Sequence, residues 1–203
     1  MPKLTLCTNP MSRGRIARWM LEEVGQPYDT RIVAYGDEIK GPDYLAINPM
    51  GKVPALLHGD SVVTECAAIV TYLADAFPEA GLMPADRAAF YRWMFFAAGP
   101  LEAAIIDRAL GVTVPEDKRA MVGYGDFDQA VRVLADHVGR QPYVCGAAFS
   151  AADVYVGSQV GWGLRFGTMP ALPEFLAYWD RLKDRPAQAR AAAIDDALLE
   201  TKE

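Results

Sequence analysis

Apolar and polar positions alternate over Lys3, Leu4, Thr5, Leu6 and Cys7, and this period of two predicts a first strand. After a break at residues 8–12 the period changes. Ile16, Trp19 and Met20 recur at i, i+3 and i+4, which predicts a helix over residues 13–24 with Arg15, Arg18, Glu22 and Glu23 mainly on its other sides. Ser12 is a plausible N-cap and Gly25 a plausible stop, with Pro27 just beyond. Residues 28–33 alternate again and predict a second strand. Residues 35–48 are irregular, with Gly36, Gly41 and Pro42, and leave room for one short helix at 42–46. Residues 48–75 read as loop, strand, tight turn at His58, Gly59 and Asp60, returning strand, and a helix that opens at Glu65 and Cys66. The order β-α-β-(α)-β-β-α describes a thioredoxin-like layer over residues 1–78.

Pro78, Gly81 and Pro84 then interrupt the pattern and mark a linker at residues 79–86. Strand signals largely vanish beyond it. Helical segments are expected at 87–98, 101–110, 116–138 (with Gly123 and Gly125 as weak points), 173–185, and from Pro186 through an alanine-rich end. Ser150 and Asp153 have the spacing of a capping-box variant, which marks a strong helix start. The expected fold is therefore an α/β thioredoxin-like N-terminal domain followed by an all-α C-terminal domain over residues 87–203.

Composition adds few constraints. The chain has 203 residues, 52% hydrophobic and 23% charged, which suits one large globular domain or two small ones. A net charge of -6 makes it a poor candidate for nucleic-acid binding. Its three cysteines and two histidines form no ligand grouping, so neither a zinc site nor a disulfide framework is expected. Such thiols suit a reducing compartment. The first residues lack the apolar core of a signal peptide, and no apolar run reaches the roughly 18 residues of a membrane span. A cytoplasmic protein is the expectation.

Candidate chemistry gathers at one end of the expected sheet. Pro54 has no N–H to give a ladder, so it belongs at a strand start or edge. A cis Val53-Pro54 bond would account for it and would turn the Val53 N–H and C=O outward, toward an extended peptide ligand. The helix that opens near Glu65 presents free N–H groups and a positive dipole end to a carboxylate. The loop at residues 8–12 faces the same end. It reads Pro10, Met11, Ser12, Arg13 and carries no cysteine, so a protein redox thiol is missing. Ser12 could instead donate to the thiolate of a bound ligand, or simply cap its helix; Asn9 and Thr8 are rival donors. Glu65 could hold a ligand ammonium or be a plain first-turn acid, and Lys52 could pair with a carboxylate or be solvated.

GKVPAL, the turn, TECAAI and, in the second half, FSAADVYVG resemble the motifs of the cytosolic glutathione S-transferases, serine-type and bacterial-like. The resemblance covers almost the whole chain. It implies glutathione as co-substrate, no metal, a thiol activated by Ser12 or Asn9, and a glutathione site formed by Lys40, Lys52, Val53, Pro54, Glu65 and Cys66. It also implies an electrophile pocket that draws on Met11, Tyr91, Phe95 and Trp162, a small hydrophobic electrophile, a role in detoxification, and a homodimer. Cys66 stands where the family usually has serine, which replaces a good hydroxyl donor by a weak one. Its backbone N–H is expected to keep the contact with the γ-glutamyl carboxylate. Other glutathione-dependent enzymes on this scaffold (isomerase, dehalogenase, peroxidase) and a non-enzymatic ligand-binding protein are the alternatives.

Overall fold

The computed structural model describes residues 2–200; the outer ends of the two expected domains, residue 1 and residues 201–203, lie outside it. By its internal contacts the chain forms two compact units, Met1–Leu82 with Arg185–Glu203, and Met83–Asp184. The alanine-rich last helix thus groups with the first unit, whereas the sequence pattern had grouped it with the second.

In the first unit, β1 (Leu4–Thr8), β2 (Tyr28–Ile32), β3 (Ala55–His58) and β4 (Ser61–Thr64) form one mixed sheet in the order β2-β1-β3-β4. β1 runs parallel to β2 and antiparallel to β3, and β3 is antiparallel to β4. α1 (Gly14–Val24) connects β1 to β2, and α4 (Cys66–Ala76) follows β4. This is the thioredoxin-like order expected. The irregular stretch after β2 holds two one-turn helices, α2 (Asp37–Lys40) and α3 (Pro42–Leu45), where the sequence suggested one. Four residues are too few to display a period.

Arg18 departs from its expected place on the polar side of α1. It is buried, because α10 (Pro186–Glu200) lies against α1 and covers that side. Arg18 Nε stands 2.9 Å from buried Asp195 Oδ1, and its Nη1 reaches Tyr28 Oη at 3.2 Å and Thr30 Oγ1 at 3.1 Å. Three further pairs flank it. Arg185 clasps Glu23 through two bonds of 2.7 and 2.8 Å, Arg190 meets Glu22 at 2.9 Å, and Arg15 meets Asp196 at 2.7 Å. Burial pushes the Asp195 carboxyl above its usual range, and Arg18 opposes that.

The second unit is built of helices. α5 (Arg87–Phe96) and α6 (Glu102–Ala109) are joined by a π turn, Ala97–Leu101. Pro100 lies inside that turn, and the wider turn carries the helix past its missing N–H. The segment expected at 116–138 is divided into a 3-10 turn, Glu116–Met121, and α7 (Phe127–Val138), with Gly125 at φ 69° between them. α8 (Ala151–Phe166) opens on the expected capping box, and α9 is Pro173–Asp180. Asp153 is fully buried and its carboxylate accepts four bonds: Val144 N (2.7 Å), Ser150 N (2.9 Å), Ser150 Oγ (3.0 Å) and Tyr178 Oη (2.8 Å). No described helix is long and apolar enough to cross a membrane.

His137 ties α7 to the loop below this box. Its ring stacks on Trp93 at 3.9 Å between centroids, and Nε2 lies 2.8 Å from the Val144 carbonyl. Burial lowers its pKa from the ordinary 6.5, Val144 raises it, and Arg92 and Arg140 lower it further. A base whose pKa is lowered by folding contributes stability that is present above its unfolded pKa and lost as pH falls through the folded value. Thermal midpoints are therefore expected to drop as pH falls from about 7 to about 5. The drop should be smaller in His137→Gln; equal slopes in the two proteins would remove His137 as its source.

Candidate functional site at the end of the sheet

Strand register assembles the site. Cys7 pairs with Ala55, and Ala55 with Thr64, so these three form one row across β1, β3 and β4. Next to that row the chain leaves β1 through Thr8, enters β3 from Pro54 and leaves β4 through Glu65. Loops far apart in sequence thus emerge at the same end of the sheet. Cys66 Sγ lies 3.5 Å from the Arg13 carbonyl, which sets the start of α4 against the start of α1.

The loop at residues 9–12 is held by its own side chains. Asn9 is buried; its Nδ2 donates to the Val33 carbonyl at 2.9 Å, and its Oδ1 accepts from Met11 N at 3.0 Å. Ser12 is half-buried. Its hydroxyl donates to the Asn9 carbonyl at 2.6 Å and accepts from Gly14 N at 2.9 Å. The capping role expected of Ser12 is therefore present one residue inside the loop, while Arg13, at φ −62° and ψ −5°, takes no side-chain cap. Thr8 is fully buried and Asn9 is buried, so of the three candidate donors Ser12 is the residue with partial exposure. Met11 is 74% exposed, and its carbonyl accepts from Tyr35 Oη at 3.3 Å.

The Val53-Pro54 bond is cis. Pro54 is buried and Val53 half-buried. The loop leading into them is fixed from three sides. Buried Tyr44 donates its hydroxyl to the Lys52 carbonyl at 2.7 Å, and the Asn48 amide donates to the same oxygen at 2.8 Å. Lys40 Nζ donates to the Met50 and Gly51 carbonyls, each at 3.1 Å. Lys40, expected in the glutathione site, thus gives donors of its ammonium to backbone, and both Lys40 and Lys52 are exposed. Tyr44 and Asn48 carry out the positioning that the sequence did not reveal. The signal was present in Asn48-Pro49, where an asparagine before a turn can bond its own backbone.

Glu65 is the described residue other than glycine with positive φ, at 65° with ψ 119°. Such a backbone costs about 1–3 kcal/mol and collects at functional sites. Glu65 is exposed, and no side chain caps the helix it precedes. The first bond of α4 runs from Ile69 N to the Glu65 carbonyl at 2.9 Å, so the amides before Ile69 have no partner within the helix, and its positive dipole end lies next to the Glu65 residue. Cys66 is half-buried. The arrangement can bind a zwitterion, with an anion on the helix end and a cation on Glu65.

Tyr91 and Phe95 lie one turn apart on α5, 46% and 72% exposed, and Trp162 is half-buried on α8. These three belong to the second unit and Met11 to the first. Among the described residues, no three histidine, cysteine or acidic side chains are grouped to hold a metal ion.

Residues 11–76 match the family model described as glutathione S-transferase, N-terminal domain. The chain is 32% identical over 174 residues to glutathione S-transferase 3 of Zea mays, covering 76% of this chain and 77% of that protein. The chain belongs to the glutathione S-transferase family. It is accordingly a transferase enzyme. Solved members of the family have the same fold. The theta class glutathione S-transferase of Xanthomonas axonopodis pv. citri, crystallised with glutathione bound, is 31% identical at a TM-score of 0.74, over 95% of this chain and 98% of that one. A Sulfitobacter glutathione transferase homologue, also with bound glutathione, is 30% identical at a TM-score of 0.75, over 97% and 99%.

Proposed function

We propose that this protein binds glutathione on its first unit, stabilises the thiolate, and conjugates it to a small hydrophobic electrophile. The observation that carries the reading is the convergence of three loops at one end of the sheet, with Cys66 Sγ 3.5 Å from the Arg13 carbonyl. In this reading the Val53 backbone pairs with the extended tripeptide. Glu65 holds the γ-glutamyl ammonium, and the amide of Cys66 and the dipole of α4 hold the γ-glutamyl carboxylate. Lys52 meets the glycyl carboxylate, and Lys40 shapes the loop.

Ser12 is the group for sulfur. A free thiol has a pKa near 8.5 and is mostly protonated at neutral pH. A hydroxyl that donates to sulfur favours the thiolate, and each unit of pKa is worth about 1.36 kcal/mol. The thiol proton leaves to solvent, and the thiolate forms a bond to the electrophilic carbon as that carbon's leaving group departs with the electron pair of the broken bond, or, for an unsaturated electrophile, as the π pair moves to the neighbouring atom and takes up a proton. Protein groups contribute position and charge stabilisation. A homodimer in the cytoplasm completes the proposal.

Calorimetric titration with glutathione, followed by turnover of a panel of small electrophiles and of hydroperoxides, tests the whole. Binding at sub-millimolar affinity with conjugation supports it. Absence of a binding heat removes it, and binding without conjugation favours a ligand carrier. For Glu65→Gln, which keeps shape and loses charge, a roughly tenfold weaker dissociation constant is expected, the scale of one hydrogen bond to a charged group. Unchanged affinity would leave Glu65 as a first-turn acid only.

A further inference from the structure

Thr8, at the end of β1, is fully buried, yet its Oγ1 has no hydrogen-bond partner. Its backbone is satisfied, since the Thr8 carbonyl accepts from Val33 N at 2.8 Å. A buried hydroxyl without a partner is unfavourable, and valine would fill the same volume without that defect. Position gives the hydroxyl a meaning. A Cβ built on Gly14 would stand 1.8 Å from Thr8 Oγ1 and 3.0 Å from Ser12 Oγ. Thr8 Oγ1 thus occupies the place that a side chain at residue 14 would take, with Ser12 Oγ close to the same point.

Ser12 has a free lone pair toward such a neighbour. Its proton is committed to the Asn9 carbonyl and one lone pair to Gly14 N, which leaves the second lone pair of the hydroxyl. To donate to sulfur, Ser12 must turn its proton away from Asn9. That carbonyl is not orphaned by the change, because Ser12 N also donates to it at 3.0 Å.

We propose that Thr8 is a positioning residue for Ser12: with glutathione bound, the Thr8 hydroxyl donates to Ser12 Oγ while Ser12 donates to sulfur. No bond to hydrogen breaks in either hydroxyl; only the acceptors change. A hydroxyl that accepts a hydrogen bond becomes a stronger donor, and Thr8 gains the partner it lacks. The inference rests on Ser12 being the donor to sulfur.

Thr8→Val removes the hydroxyl and keeps the shape, and Thr8→Ser keeps the hydroxyl. If Thr8 only fills space, valine leaves function untouched. The proposal expects Thr8→Val to melt at the same temperature or higher and to keep the KM for glutathione. It also expects kcat to fall about threefold and the pH midpoint of the bound thiolate, followed by its ultraviolet absorbance, to rise by about half a unit. Thr8→Ser should restore both. A wild-type midpoint and kcat in Thr8→Val overturn the proposal and leave Ser12 in place. A lowered melting temperature in Thr8→Val shows that the hydroxyl has a structural partner, and overturns it too. An unmoved thiolate midpoint in Ser12→Ala, measured alongside, overturns the reading of Ser12 and this proposal together.

Discussion

Ser12→Ala is expected to lower kcat/KM for glutathione conjugation by about a hundredfold, the scale on which one preorganised donor to a developing or standing anion acts. Most of the loss should fall on kcat near neutral pH, because the bound thiol returns toward its solution pKa of about 8.5 and is mostly protonated. Raising the pH should recover part of the rate. Stability should change as well. The hydroxyl accepts from Gly14 N at 2.9 Å, and removing a cap of this kind costs about 1 kcal/mol, or roughly 2–4 °C in thermal midpoint for a chain of this size. The two effects separate the two roles. A variant that melts lower and conjugates within about threefold of wild type would reduce Ser12 to a cap, since a tenfold change already corresponds to about 1.4 kcal/mol.

Asp153→Ala is the substitution with the largest expected effect on folding. Its carboxylate is the shared acceptor for Val144 N, Ser150 N, Ser150 Oγ and Tyr178 Oη, all within 3.0 Å. Val144, Ser150 and Tyr178 are themselves buried, so water cannot readily replace the lost acceptor. Breaking a buried charged network from one side costs about 3–5 kcal/mol, against a total of about 5–15 kcal/mol for a typical protein. Urea unfolding should show the midpoint shifted by that amount, with Asp153→Asn intermediate because its amide oxygen still accepts. A loss below about 1 kcal/mol for alanine would mean that the four donors find other partners.

Both residues were visible in the sequence, for a physical reason. Ser12 and the pair Ser150 and Asp153 act on backbone a few positions away, so spacing alone announces them. The sheet, α1 and α4 were readable for the same reason: their periods are local. What could not be read depends on distant partners or on very short elements. Arg18 looks like a solvated residue until Asp195, near the other end of the chain, is placed beside it. The carbonyl partners of Lys40 on Met50 and Gly51 lie across an irregular loop and leave no spacing signal. The π turn at Ala97–Leu101 reads as a break, because Gly99 and Pro100 are breakers in an ordinary helix. Val53-Pro54 and Glu65 were legible as motifs, whereas the positive φ of Glu65 has no signal in a glutamate, which is not among the residues enriched there.

The pairing of α1 with α10 has a consequence for how the chain is made. Synthesis proceeds from the N-terminus at about 5–20 residues per second, and early segments can begin to fold while later ones are still absent. The strands of the first unit and α1 are all present once residue 64 has emerged. Arg18, Glu22 and Glu23 then carry their charges without Asp195, Arg190 and Arg185, which are still to be translated. A segment made much later therefore completes a unit that entered folding early, and a nascent chain stalled before Arg185 holds a sheet whose neighbouring helix still waits for its counter-ions.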